Sequence, residues 1–181
     1  MKRPARTAAT VVAAVVVPLL ILLASQIGAG GGGTRTSRLL GKPAPSFDLE
    51  VLDGGEHLSS ADLAGTTYLV NFWNEWCLPC AEEHPALVEF HRRHAGDPSV
   101  RLIGILRDER SLAEVRRYVE REGVAWTVLL DPGGDAAVAF GTTGQPETFA
   151  IGADGVVRAY QYGPSTVDRL EEMLRAAGGT G

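Results

Sequence analysis

The chain has 181 residues and a formal net charge of −5. Five of the 17 Lys and Arg residues precede position 41, and all 22 Asp and Glu residues follow it. Residues 41–181 therefore hold 12 Lys and Arg and 22 Asp and Glu, which gives this segment a formal charge of −10. This balance opposes nucleic-acid binding and leaves basic polypeptides as candidate partners, although solubility alone also accounts for it. Residues 41–181 suffice for one domain with a substantial core and are too few for two.

The N-terminus combines a basic flank with a long uncharged stretch. Residues 8–27 are apolar enough and just long enough to span a bilayer, and they follow three basic residues, Lys2, Arg3 and Arg6. The positive flank favours a cytoplasmic position for residues 1–7 and places everything after the span outside. A cleaved signal peptide is the alternative, but no clear Ala-x-Ala site follows the apolar core, so an uncleaved anchor is favoured.

The segment after the predicted span is rich in glycine. Residues 28–40 are therefore predicted to be a flexible tether that joins the anchor to a domain at 41–181. The predicted location is the cell membrane, with a single span and with the folded domain on the extracytoplasmic face.

Alternation, helical periodicity and turn signals divide the domain into regular elements. A capping box supports the second helix, because Ser111 stands three residues before Glu114. Asp154-Gly155 is typical of a hairpin turn between two strands. In chain order the predicted elements are a hairpin over 47–58, a strand over 68–73, a helix from Cys77 to about His94, a strand over 100–106, a helix from Ser111 to Gly123, a strand over 126–130, a short helix over 136–140, strands over 148–151 and 156–162, and a helix from Ser165 to Gly178. This order predicts an α/β fold with a mixed sheet flanked by helices.

The only two cysteines form one Cys-x-x-Cys motif directly after the predicted strand 68–73. Because a helix begins at the motif, Cys77 is placed where unpaired backbone N–H groups and the helix dipole stabilise a thiolate. Cys80 lies one turn further in and is expected to be less exposed. The pair can therefore cycle between dithiol and disulfide.

Two other uses of the cysteines are less favoured. A structural zinc site normally needs four Cys or His ligands, and only His84 adds a nearby candidate. A structural disulfide across so short a loop would constrain the unfolded chain very little. We therefore interpret the motif as a redox-active dithiol that needs no metal and no cofactor.

Several motifs together resemble the thioredoxin superfamily and, more narrowly, its membrane-anchored TlpA/ResA/CcmG-like (DsbE-like) thiol-disulfide oxidoreductases. The resemblance covers essentially all of residues 41–177. The residues that carry it are Gly41–Phe47, Asn71–Cys80, Glu83, Pro85 and Gly144–Phe149. It implies a thioredoxin-like fold with an N-terminal β-hairpin extension, and a proline kink at Pro85 in the active-site helix.

One position departs from ordinary thioredoxins and draws attention to Glu83. Asn71 stands where thioredoxins carry a buried aspartate that manages protons on the second cysteine. Glu83 follows Cys80 by three residues on the same helix face, and the anchored subgroup has a glutamate there. We expect Glu83 to accept the proton of Cys80, although a solvated helix glutamate is the simpler alternative, as for its neighbour Glu82.

The resemblance also implies a peptide-binding edge beside the dithiol. It places a cis-proline at Pro146 facing the cysteines, with the preceding backbone at Gln145 pairing with an extended substrate. Trp76 is expected to shield the dithiol and to touch clients, and simple packing at the loop is the alternative. Glu147 could meet a basic client at the rim, but a plain solvent-facing glutamate is the preferred interpretation. His84 is interpreted as a surface group.

The predicted function is an extracytoplasmic protein disulfide reductase. The resemblance implies that the clients are protein disulfides, with apocytochrome c as the leading candidate in cytochrome c maturation, and that a membrane thiol shuttle of the CcdA/DsbD type supplies electrons. A disulfide-forming oxidase on the same scaffold is the nearest alternative, since only the direction of electron flow differs. A non-catalytic peptide-binding module is the more distant one, and no isolated peroxidatic cysteine supports a peroxiredoxin.

Overall fold

The structure is a computed structural model, and it describes residues 16–18, 36–52, 54–107 and 111–179. Backbone contacts divide the chain into residues 1–35 and residues 36–181. Within the first unit only 16–18 are described, and they are helical and exposed. The rest of the predicted span 8–27, and most of the tether, lie outside the described residues and stay predictions. No helix within the described segments has the length and apolar character that a bilayer crossing requires.

The second unit is built on one seven-stranded mixed sheet whose strand order is β2-β1-β5-β4-β3-β6-β7. Strands β3, β4 and β5 are parallel, and the other neighbours pair antiparallel. The strands are β1 (Asp48–Val51), β2 (His57–Ser59), β3 (Thr67–Trp73), β4 (Val100–Leu106), β5 (Thr127–Leu130), β6 (Glu147–Ile151) and β7 (Val157–Tyr162).

Four helices and one 3-10 turn complete the described fold. They are α1 (Leu78–His94), α2 (Leu112–Glu122), α3 (Asp135–Phe140), α4 (Val167–Ala176) and the 3-10 turn Ser60–Leu63. Each cap has a local cause: Ser111 accepts the N–H of Glu114, and Gly123 ends α2 with φ of 70°, a conformation that glycine adopts without steric cost. The α/β architecture with a mixed sheet agrees with the sequence prediction.

The differences from the predicted elements are small and have local reasons. Helix α4 begins at Val167 rather than at Ser165, because the Thr166 side chain accepts the N–H of Arg169 and so caps the helix. The 3-10 turn at Ser60 was not predicted. The folded unit also begins a few residues before Gly41, since Leu39 packs against the core and Gly41 N–H bonds Val157 C=O.

The core lies on both faces of the sheet, and strand β3 separates its two halves. All seven residues of β3 are buried. Because side chains alternate along a strand, Leu69 and Trp73 face one side and Val70 and Phe72 face the other. The first side packs against buried residues of α1, α2 and α4, and the second against those of α3. Asn71 therefore faces the side on which α1 lies.

Candidate active site

The dithiol lies where β3 ends and α1 begins. Cys77 is the N-cap of α1, and its Sγ accepts the backbone N–H of Cys80 at 3.2 Å. The two cysteines form a disulfide, with Cα atoms 5.2 Å apart. In the reduced protein the same N–H and the helix dipole stabilise negative charge on the Cys77 sulfur. This is the environment that the sequence predicted for the attacking thiol.

The two sulfurs differ in their surroundings. Cys77 is 7% exposed and lines an open cavity, whereas Cys80 is 3% exposed and belongs to the inner face of α1. Two prolines shape this helix, Pro79 in its first turn and Pro85 inside it. Proline is tolerated in the first turn, where its missing N–H has no intrahelical partner, whereas Pro85 removes one hydrogen bond from the helix.

Glu83 shares the inner face of α1 with Cys80 and is only 1% exposed. Its carboxylate accepts the Asn71 side-chain amide at 2.8 Å and the Ser165 backbone N–H at 3.0 Å. Burial raises the pKa of Glu83 from 4.5 to about 7, and these two hydrogen bonds only partly oppose the rise. A carboxyl group with this pKa exchanges protons near neutral pH. The solvated alternative does not hold for Glu83, while its neighbour Glu82 is exposed.

Asn71 connects Glu83 to the strand that follows the proline loop. Asn71 is fully buried and pairs across the sheet with Thr148. Its Nδ2 donates to Glu83 and also to the Thr148 hydroxyl at 2.9 Å. A neutral amide at this position donates to the Glu83 carboxylate, which an aspartate could not do when ionised. The substitution that distinguishes this chain from ordinary thioredoxins therefore positions the buried acid.

The loop before β6 carries Pro146, and the Gln145–Pro146 peptide bond is cis, as the family resemblance implied. Among the described residues, the backbone N–H and C=O of Gln145 make no hydrogen bond, whereas Pro146 C=O accepts the N–H of Gly163. The free backbone of Gln145 is available for pairing with an extended peptide.

Glu147 is buried and not at the rim, so both sequence interpretations of this residue were wrong. It is 1% exposed. Its carboxylate accepts the N–H groups of Thr143 and Gly144 at 2.6 and 2.8 Å, the Thr143 hydroxyl at 3.3 Å and the Tyr160 hydroxyl at 2.8 Å. Glu147 therefore fastens the loop that presents Pro146. The motif quoted for the family contained this glutamate, but no local pattern indicated its burial.

His84 is also buried, contrary to the sequence interpretation of a surface group. It is 6% exposed, its ring packs against Tyr118 and Trp126, and Nε2 lies 3.1 Å from the Glu122 carbonyl oxygen. That carbonyl belongs to the last turn of α2, where helical C=O groups lack intrahelical partners. His84 thus joins α1 to the end of α2.

A cavity of about 470 Å³ opens beside the dithiol. Its lining includes two exposed apolar side chains, Trp76 at 43% and Leu78 at 74% exposure. Exposed apolar surface of this kind next to a reactive group is typical of a binding surface. The complete described lining is Trp76, Cys77, Leu78, Pro79, Arg107, Gly144 and Gln145. The structure thus brings Trp76 and Gln145 to Cys77, as predicted, whereas Glu83 lies beneath the surface.

No metal site accompanies this arrangement within the described residues, where no group of three or more His, Cys, Asp and Glu side chains could hold an ion. Arg107 is the one lining residue that the sequence did not single out. It lies outside every motif, and only the sheet register brings it to the dithiol.

The Cys77–Cys80 pair at the start of α1 and the cis-proline loop beside it define a thioredoxin-like thiol-disulfide oxidoreductase. A sequence model of the Redoxin family matches residues 39–174, and the chain belongs to this family. The thiol:disulfide interchange protein DsbE of Xylella fastidiosa is 38% identical over 141 residues, which are 76% of this chain and 68% of that protein.

A second sequence relative and a solved structure support the same assignment. The thiol-disulfide oxidoreductase ResA of Bacillus thuringiensis subsp. konkukian is 32% identical over 136 residues, covering 75% of this chain and 77% of that protein. The crystal structure of a thioredoxin-family thiol:disulfide interchange protein from Chlorobium tepidum superposes with a TM-score of 0.68 at 32% identity, covering 80% of this chain and all of that one. The chain is therefore an oxidoreductase of the DsbE/ResA/CcmG type.

Proposed function

We propose that this oxidoreductase works outside the cytoplasm as a membrane-anchored reductase of protein disulfides, with apocytochrome c as its leading client. The observation that carries the proposal is the grouping of Cys77, the exposed Trp76 and Gln145 around one open cavity, with the Gln145 backbone hydrogen-bonded to no other described residue. An extended segment that pairs with Gln145 would bring its disulfide to Cys77. The client assignment rests on the family resemblance.

The reaction has two exchange steps. The Cys77 thiolate attacks one sulfur of the client disulfide, an S–S bond forms between them, and the other client sulfur leaves as a thiolate that takes a proton. Cys80 then gives its proton to Glu83 and attacks the Cys77 sulfur. The Cys77–Cys80 disulfide forms, the second client sulfur leaves as a thiolate, and the client has gained two electrons.

Glu83 suits the second step because of its position and its pKa. Cys80 is buried among apolar side chains, and burial disfavours a thiolate, so the attack needs a base on the same face of α1. With a pKa near 7, Glu83 accepts that proton and later releases it without a large free-energy barrier. The oxidised protein is reduced again by a membrane thiol shuttle of the CcdA/DsbD type, since the extracytoplasmic compartment is oxidising.

Trapping of the mixed disulfide tests the proposal. Full-length Cys80→Ser is mixed with a peptide that holds an oxidised Cys-x-x-Cys-His segment, and the products are separated by mass. We expect a covalent adduct through Cys77, because the variant lacks the resolving thiol. Cys77→Ser is the matched control and should give no adduct. Absence of an adduct with Cys80→Ser, or equal adducts with both variants, would overturn the mechanism.

The direction of electron flow needs a separate measurement. Equilibration of the full-length protein with glutathione gives its reduction potential, and a reductase requires a potential below that of the client pair. A potential as oxidising as that of disulfide-forming enzymes, together with oxidation of a dithiol peptide, would instead establish the oxidase.

A further inference from the structure

Arg107 is a cation that the register of the sheet brings to the active site. Leu106, the last residue of β4, pairs with Trp73, the last residue of β3, in the parallel register. The two chain segments that leave these strands therefore start side by side. One leads to Cys77 and the other begins with Arg107, so the guanidinium and the reactive sulfur line the same cavity.

Arg107 is the only charged side chain among the described residues that line this cavity. It is half-buried, and no carboxylate in the described part of the chain forms a salt bridge with it. A guanidinium loses hydration when it is partly buried, so an anion that reaches it gains more than at an open surface.

Several other arginines of the domain form salt bridges, unlike Arg107. Six of them pair with a carboxylate within 4.0 Å: Arg92, Arg93, Arg117, Arg121, Arg158 and Arg169. Glu147, two residues after the lining residue Gln145, is buried, and its carboxylate accepts the N–H of Gly144 instead of facing the cavity. The domain has a formal charge of −10, whereas the described lining of this cavity carries one positive charge, that of Arg107.

We propose that Arg107 determines client specificity by binding a carboxylate of the client close to its reacting cysteine, while an apolar client side chain packs on Trp76 and Leu78. The occupant is thus an acidic, extended polypeptide segment, which is the opposite of the basic client that net charge suggested. This inference rests on the proposed function, because it concerns the same cavity. Arginine suits the task, since its planar fork of donors matches a carboxylate with two parallel hydrogen bonds.

The test compares three peptides that share an internal Cys-x-x-Cys disulfide and an aromatic residue, and that carry Glu, Gln or Lys two residues outside the cysteines. A first set places this residue before the first cysteine and a second set places it after the last. The full-length protein is reduced, freed of reductant and mixed with each peptide, and the second-order rate constant of single-turnover reduction is measured.

We expect the Glu peptide of one set to react about tenfold faster than the Lys peptide, as for a half-buried ion pair. The preference should fall in 1 M salt, because the charges are partly exposed to screening. In Arg107→Gln the preference should disappear, and in Arg107→Glu it should reverse in favour of Lys. Arg101→Glu makes the same change of charge at the opposite end of β4, where the side chain is exposed, and should keep the preference.

Each alternative has its own result. Equal rates for the Glu and Lys peptides with the unaltered protein, or an unchanged preference in Arg107→Glu, would overturn the inference. An equal loss for all peptides, accompanied by a changed pH profile of Cys77 alkylation, would mean that Arg107 acts on the thiolate and would also overturn it. If the unaltered protein reduces no peptide of either set, the proposed function fails and the failure does not lie with Arg107.

Discussion

Two glutamates near the active site are equally buried but differ in the number of hydrogen bonds that their carboxylates accept. Glu83 and Glu147 are each 1% exposed. Glu83, on helix α1, accepts two N–H donors, from Asn71 and Ser165, and its pKa rises to about 7 because burial outweighs them. Glu147, at the start of β6, accepts four hydrogen bonds from the loop and from β7.

The difference shows that burial alone does not give a carboxylate its role. A buried charge needs donors, and a carboxylate has about four acceptor positions. A carboxylate whose acceptor positions are all filled by donors from different chain segments holds those segments together. Where only half are filled, the charged form is poorly compensated and the group exchanges protons near neutral pH. Glu147 thus organises the proline loop, and the raised pKa of Glu83 supports its proposed role as acceptor of the Cys80 proton.

The largest loss of stability is expected for Glu147→Ala. The substitution removes the acceptor of two backbone N–H groups and of the Thr143 and Tyr160 hydroxyls. We expect it to lower the free energy of unfolding by about 3 kcal/mol. Urea unfolding of the oxidised protein measures it.

The control for this substitution is Glu82→Ala, which removes an exposed glutamate from α1 and should change the free energy by less than about 0.5 kcal/mol. A loss below about 1 kcal/mol in Glu147→Ala would show that water replaces the carboxylate easily. The loop would then not depend on Glu147.

Glu83→Gln should instead have an effect that depends on pH. Because the folded-state pKa of Glu83 is raised from 4.5 to about 7, its contribution to stability is fully present below pH 4.5 and is lost as the pH rises through 7. Glutamine resembles the protonated acid and does not titrate. The variant should therefore match the unaltered protein near pH 4 and be more stable by about 3 kcal/mol at pH 9.

Urea unfolding between pH 4 and pH 9 measures this difference, with Glu82→Gln as the matched control that should stay level. The rate at which Cys80 resolves a mixed disulfide should also lose its dependence on a group with pKa near 7 and should fall, since Gln accepts no proton. A constant stability difference across this range would contradict the assignment of a raised pKa to Glu83.

Asn71→Asp is expected to have an intermediate effect, through the pKa of Glu83. The change replaces the amide donor with a second buried carboxyl group beside Glu83, so that one acid disfavours ionisation of the other. We expect the upper of the two coupled pKa values to rise above 7 by about one unit, or about 1.4 kcal/mol. Carboxyl ¹³C chemical shifts followed against pH measure it, and an upper pKa below 7 would contradict the prediction.

The sequence predicted the position of Glu83 but not the burial of Glu147. The reason is that the position of Glu83 follows from local helical spacing, whereas the burial of Glu147 depends on contacts that are distant in sequence. Helical spacing placed Glu83 on the face of Cys80, and the resemblance to thioredoxins implied the buried position of Asn71. Glu147 stands in a strand whose five residues are all buried, so alternation carries no information there. Its partner Tyr160 lies on the next strand.

The same limit explains His84 and Arg107. His84 is buried by Tyr118, Trp126 and the end of α2, all more than 30 residues away in sequence. Arg107 reaches the cavity only because β3 and β4 end together in the parallel register. The motifs and the order of elements were readable because they depend on local periodicity, whereas these positions depend on tertiary packing.

The smallest expected effect concerns the approach of the loop to β7, at Gly144. A Cβ atom there would lie 2.7 Å from the Tyr162 Oη and 3.2 Å from its Cε2. Gly144→Ala should therefore move the loop or the ring and lower the free energy of unfolding by about 1 kcal/mol, as measured by urea unfolding. Tyr162→Phe removes the closest atom but leaves the ring edge, so in the double variant we expect about half of that loss to be recovered. If the losses of free energy from the two single variants add in the double variant, the alanine does not act through Tyr162. It would then act by disturbing the hydrogen bonds that the loop donates to Glu147.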